Sequence, residues 1–149
     1  EARCRMICPC EDKELWDSVT SRARSIMNLE FIEKVPYHEI QEHYDAAKIF
    51  VNTSTFEGFP NSFIQAAIGN VALLSLCVDP DGMISEFGSG VLAGETPAAL
   101  LQSAKQMLSD KAQLARMQEG NVHMVAEWLD NSSNVERFLS ALKTASEGR

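Results

Sequence analysis

The most constraining stretch of this chain is the almost unbroken apolar run Val71-Ala72-Leu73-Leu74-Ser75-Leu76. A strand with water on one face alternates apolar and polar residues. A run without that alternation predicts a strand covered on both faces, as in parallel sheets flanked by helices. The rest of the chain repeats the theme, with short apolar segments alternating with amphipathic ones. The reading is an α/β, Rossmann-like parallel sheet with helices on both faces and a helical C-terminal tail. At 149 residues the chain is expected to form one domain over residues 1–149.

The pattern predicts strands over Arg3–Pro9, Leu29–Ile32, Ile49–Asn52, Val71–Leu76 and Val91–Ala93. Helical spacing is expected over Glu11–Met27, His38–Ala47 and Asn61–Ile68. Pro97 suits a first helical turn, and Leu100, Leu101, Ala104, Met107 and Leu108 then form a core stripe. A further helix from Lys111 is expected to bury Leu114, Met117, Val125 and Trp128. Ser132 or Ser133 is expected to cap a last helix carrying Val135, Phe138, Leu139 and Leu142. Trp16, Trp128 and the phenylalanines are read as core. In open parallel sheets ligands gather beyond the carboxyl ends of the strands. The turns after Val35, Asn52 and Leu76 are expected to converge there.

Charge narrows the partners. The formal net charge is −8, with no Lys/Arg cluster, which argues against a nucleic-acid surface. A small anion remains possible, because helix N-termini bind anions through backbone N–H groups. No apolar run reaches the length of a membrane span. Cys4, Cys8 and Cys10 are close enough for a loose metal cluster, but no second ligand pair with zinc spacing follows, so they are read as small apolar residues in or beside a buried strand. A reducing cytoplasm is the easier compartment. The chain begins at Glu1 and reaches its first strand at once, as an internal fragment of a longer protein would.

The richest chemistry lies in Glu57-Gly58-Phe59-Pro60-Asn61-Ser62-Phe63-Ile64-Gln65, between a strand and a helix. A carboxylate, a glycine and a helix N-terminus there could hold a sugar bearing phosphate. Gly58 is expected to give the backbone a conformation that a side chain forbids. Pro60 and Asn61 would open the helix with N–H groups free for a diphosphate. The bland alternative for Glu57 is a solvated turn residue. Asp79 and Asp81 suit a Pro-Asp-Gly turn better than calcium, for want of a full set of oxygen ligands. His38 near a helix start, His43 on a solvated face and the exposed Glu86 receive no catalytic role.

These residues resemble the C-terminal, donor-binding lobe of GT-B retaining glycosyltransferases of the group 1 family. The match runs from about residue 29 to about residue 145, and the blocks from Asn28 to Ser54, from Phe56 to Ala67 and from Ala72 to Gly82 carry it. The family's signature is a Glu, seven residues, and a second Glu. Glu57 matches the first, and Gln65 stands in the second place. Asn70 and Ala72 stand where the family favours Gly and Pro. The resemblance implies a lobe lacking its first strand, part of a two-lobe enzyme whose other lobe holds the acceptor. It implies Glu57 as the catalytic carboxylate on the donor sugar. Gly58, Phe59, Pro60, Asn61, Gln65, Val35, Asp81 and Gly82 are implied to be donor-binding.

The implied donor is a nucleotide-diphosphate sugar, with no metal and no other cofactor. The implied acceptor is a glycan or lipid-linked glycan, handled in the cytoplasm at the inner face of the membrane. The lobe alone is expected to bind donor weakly and not to turn over. Two alternatives stay open: a non-catalytic nucleotide-sugar-binding module, and an unrelated flavodoxin-like or epimerase-like domain.

Overall fold

The computed structural model describes residues 2–58 and 60–147. The chain divides into two compact units, residues 1–42 and 43–149. Both are α/β, built on parallel strands.

In the first unit, β1 (Cys4–Ile7) pairs in parallel with β2 (Leu29–Ile32), Cys4 opposite Leu29 and Ile7 opposite Ile32. The connection is α1 (Lys13–Ala23), shorter at both ends than helical spacing alone predicts. Its start is fixed by Asp12, whose carboxylate accepts from the Leu15 N–H at 2.8 Å. Trp16 on α1 meets Phe31 on β2 edge to face, with ring centroids 5.0 Å apart. The strand β1 is mostly exposed, and its Arg5 reaches Glu30 across the pair at 2.8 Å. Cys4 on that strand and Cys10 beyond it are exposed, and Cys8 is half-buried, rather than lying in or beside a buried strand. The division at residue 42 falls inside the short α2 (Ile40–Asp45), within the longer helix expected at 38–47.

The second unit is a parallel sheet in the order β3 (Ile49–Asn52), β4 (Ala72–Ser75), β5 (Gly90–Leu92). Every residue of β4 is buried, as its apolar run predicts. Val71 and Leu73 pack on one side with Phe63 of α3 (Asn61–Ile68), Met83 and Met124. Ala72 and Leu74 pack on the other with Met107 of α4 (Pro97–Ser109) and Met117 of α5 (Lys111–Trp128). A fully buried Leu contributes about 1.5–3 kcal/mol over an exposed one, so this strand anchors the unit. Two close approaches fit the layers together. A Cβ on Gly90 would lie 1.9 Å from the Leu73 carbonyl oxygen, and one on Gly120 would lie 2.3 Å from that of Phe87.

Asn121, fully buried on α5, donates from Nδ2 to the Val71 carbonyl at 2.9 Å. Helical spacing could not reveal it, because a polar residue breaks the apolar stripe. Elsewhere burial is narrower than the stripes that helical spacing predicts. On α4, Met107 is buried, Leu100 and Ala104 are half-buried, and Leu101 and Leu108 are exposed. On α5, Met117 and Met124 are buried, whereas Leu114, Val125 and Trp128 are half-buried.

The last helix, α6 (Asn131–Glu147), is capped by Asp130 and not by either serine. The serines are the donors: both backbone N–H groups and the Ser133 hydroxyl point at that carboxylate. Val135, Phe138, Leu139 and Leu142 are all exposed on α6, so Phe138 is not core; nor is Phe56, 86% exposed in a loop. Among the described residues no helix is long and apolar enough to cross a membrane.

Candidate functional site

Two loops leave the carboxyl ends of neighbouring strands and face each other. The first follows β3. Asn52, buried at the strand's end, accepts from the Ser54 N–H at 3.1 Å through its side-chain oxygen. The turn this closes lets Ser54 donate its hydroxyl to Glu57 Oε1 at 2.7 Å. Glu57 is thus half-buried and tethered rather than a freely solvated turn residue. Among the described residues its other oxygen has no partner.

The second loop follows β4. Ser75, buried, accepts the Val78 N–H at 3.1 Å. Asp79 then accepts two backbone N–H groups, from Ile84 at 2.7 Å and Ser85 at 3.1 Å. Those bonds close the 3₁₀ turn Pro80–Gly82, in which Asp81 has φ +46° and Gly82 φ +76°. Asp and Gly tolerate such angles better than most residues. The acidic pair is explained by the turn, as the sequence suggests.

Between the loops lies a cleft of about 290 Å³, with Glu57 and Gly58 on one wall and Cys77, Asp79 and Asp81 on the other. Thr55, Phe56, Val78 and Pro80 complete it. Of the residues singled out in the sequence, the structure brings Glu57, Gly58 and Asp81 together. Gly82 is half-buried in the turn behind and does not line the cleft.

Pro60 precedes α3 with φ −78° and offers no side-chain cap, and Asn61 is the exposed first residue of the helix. Gln65 lies half-buried on the second turn and is not a lining residue of the cleft. Val35 belongs to the first unit, in the loop after β2, and Phe59 lies outside the described residues.

One expectation is corrected. Gly58 does not take a left-handed φ, and a Cβ there would meet nothing within 4 Å. Its contribution is open space at the cleft wall, not backbone freedom. The residues that sequence reading missed are Ser54 and Asn52, which orient Glu57. The sequence signals the local turn, because Asn and Ser at the end of a strand favour side-chain-to-backbone bonds, but it does not name Glu57 as the Ser54 hydroxyl's acceptor.

Asn70, standing where a glycine is favoured, has φ +56°. Its N–H bonds Ala67 O at 2.9 Å and that of Val71 bonds Ala66 O at 2.9 Å, which closes the end of α3. Asparagine supplies the left-handed residue that this ending needs, so the departure leaves the backbone path intact. Among the described residues no group of three or more His, Cys, Asp or Glu could hold a metal ion.

A family model described as "Glycosyl transferases group 1" matches residues 2–110. A chain of the solved structure titled "Crystal structure of GtfA/B complex" superposes on 99% of this chain with a TM-score of 0.73 and 15% identity. At that identity the likeness is one of fold. This chain spans 30% of the length of that one. No curated protein matches.

Proposed function

The chain belongs to the glycosyl transferases of group 1, and from that premise we propose that it is the donor-binding part of an enzyme that moves a sugar from a nucleotide-diphosphate donor to an acceptor with retention of configuration. The observation that carries this reading is the Glu57 carboxylate, held at the cleft by Ser54 with its second oxygen unpartnered among the described residues.

In the proposed reaction Glu57 accepts hydrogen bonds from the donor sugar's hydroxyls and fixes its orientation. The uncapped first turn of α3, at Asn61, receives the diphosphate. Charge developing on that leaving group as the glycosidic bond breaks is met by backbone N–H dipoles already in position. No metal is required in this scheme. The acceptor, a glycan or lipid-linked glycan, is bound by a second lobe, and the parent works in the cytoplasm at the inner face of the membrane. The 149-residue chain alone binds donor without turnover.

Gln65 carries the ribose in this reading. An amide there replaces a charge-assisted bond with a neutral one, at a cost of about 1 kcal/mol. That amide is also the observation favouring a second reading, a binding module without catalysis. Titration of nucleotide-sugars and of the matching nucleoside diphosphates tests both. Glu57→Ala should abolish the extra affinity that the sugar provides and leave the diphosphate's own affinity in place. Gln65→Glu should tighten both ligands about fivefold, by the same 1 kcal/mol. A Glu57→Ala chain that still prefers the nucleotide-sugar would sink the donor reading, and a Gln65→Glu chain with undetectable affinity favours the non-catalytic module.

A further inference from the structure

We infer that the cleft selects its glycosyl group by charge, accepting a sugar without a carboxylate and rejecting a uronate. The inference rests on the donor-binding reading above and deepens it to a class of substrate. Three acidic residues, Glu57, Asp79 and Asp81, are among those lining one cleft of about 290 Å³. Among the described residues lining it there is no Lys, Arg or His.

Two of the three charges cannot swing away. Glu57 is tethered by Ser54 at 2.7 Å, and Asp79 is tied through both oxygens to the backbone at Ile84 and Ser85. Asp81 is exposed and sits on a turn residue with φ +46°. Carboxylate oxygens are acceptors only. A neutral sugar presents hydroxyl donors to them. A uronate presents another acceptor in place of a hydroxyl and places a like charge among three others, well within a Debye length of about 10 Å at ordinary ionic strength. Wall and ligand then repel, and among the described lining residues no cation offsets the repulsion.

The test is ligand-observed NMR with competition titration on the full chain, which detects weak binding. The probes are UDP-glucose against UDP-glucuronate and GDP-mannose against GDP-mannuronate, with UDP and GDP as references. For whichever base binds, the uronate should bind at least about tenfold more weakly than its neutral counterpart. The gap should narrow about two- to threefold in Asp81→Asn, since asparagine tolerates the same left-handed φ, and should narrow again as salt rises.

A uronate that binds as tightly as the neutral sugar overturns the inference while leaving the donor reading in place. A gap unmoved by both Asp81→Asn and salt overturns it too, because the discrimination is then steric. If neither sugar nucleotide binds more tightly than its nucleoside diphosphate, the donor reading fails and the inference falls with it.

Discussion

A single hydroxyl orients the carboxylate on which the proposed chemistry depends. Ser54 donates to Glu57 at 2.7 Å, and the buried Asn52 fixes the turn that brings Ser54 there. Without that hydroxyl the carboxylate samples other rotamers, and the sugar must order it on binding. Loss of one hydrogen bond to a charged group costs roughly 1.5–3 kcal/mol when buried and less when partly exposed. Ser54→Ala should therefore weaken nucleotide-sugar binding about three- to tenfold and leave nucleoside diphosphate binding unchanged. Ser54→Thr, which keeps the hydroxyl, should restore it. Equal losses for both ligands by calorimetry would show a fold defect instead. At this scale Glu57 is singled out by its place between a strand and a helix together with the family resemblance, since place alone favours a solvated turn residue. The sequence did not expose Ser54, because serine after a strand is common and its partner depends on turn geometry. Gln65 shows the opposite limit: its spacing from Glu57 is legible, but its position off the cleft wall needs the helix's orientation.

Elements were legible where a local rule agreed with burial. The sequence reading placed β2, β3 and α3 at the bounds the structure shows, since apolar periodicity, flanking turns and packing all point one way there. Helix ends were less legible, because an acidic residue just outside the apolar pattern sets them. Asp12 and Asp130 each accept from the first turn of a following helix, whereas the start of α5 at Lys111, capped by Asp110, agrees with the sequence. Asp130 carries a testable pH response. The Ser133 hydroxyl, followed by the backbone N–H groups of Ser133 and Ser132, lowers its pKa from the ordinary 3.8. A carboxyl whose folded pKa is depressed stabilises fully above its unfolded value and loses that contribution as pH falls through the folded one. The first turn of α6 should therefore hold above about pH 4 and fray below it, which the amide shifts and exchange rates of Ser132 and Ser133 would report. Asp130→Asn should keep the cap, since asparagine caps as well, while removing its pH dependence. A first turn that titrates identically in that variant would rule out Asp130 as the switch.

Taken whole, the chain distributes its core unevenly. Among the described residues Ala23 is the one buried apolar residue of the first unit, whereas Phe63, Leu73, Leu74, Met83, Met107 and Met124 are fully buried in the second. The first unit rests on a two-stranded ladder, an edge-to-face Trp16–Phe31 contact and exposed ion pairs at Arg5–Glu30 and Lys13–Asp17. Exposed pairs are worth about 0–1 kcal/mol each, and two-stranded sheets are marginal by themselves. Sequence periodicity hid this asymmetry, because β1 and β4 both read as apolar segments while only β4 is covered on both faces. Local stability should follow burial, since segments with few buried contacts open at lower free energy than the global transition. In native-state hydrogen exchange the amides of β4 and α3 should be protected up to the global limit. Those of β1, α1 and β2 should exchange at least tenfold faster and independently of denaturant at low concentration, as sub-global opening requires. Uniform protection across both units would mean that the chain unfolds as one cooperative body, and that residues 2–42 draw their stability from more than the contacts within their own unit.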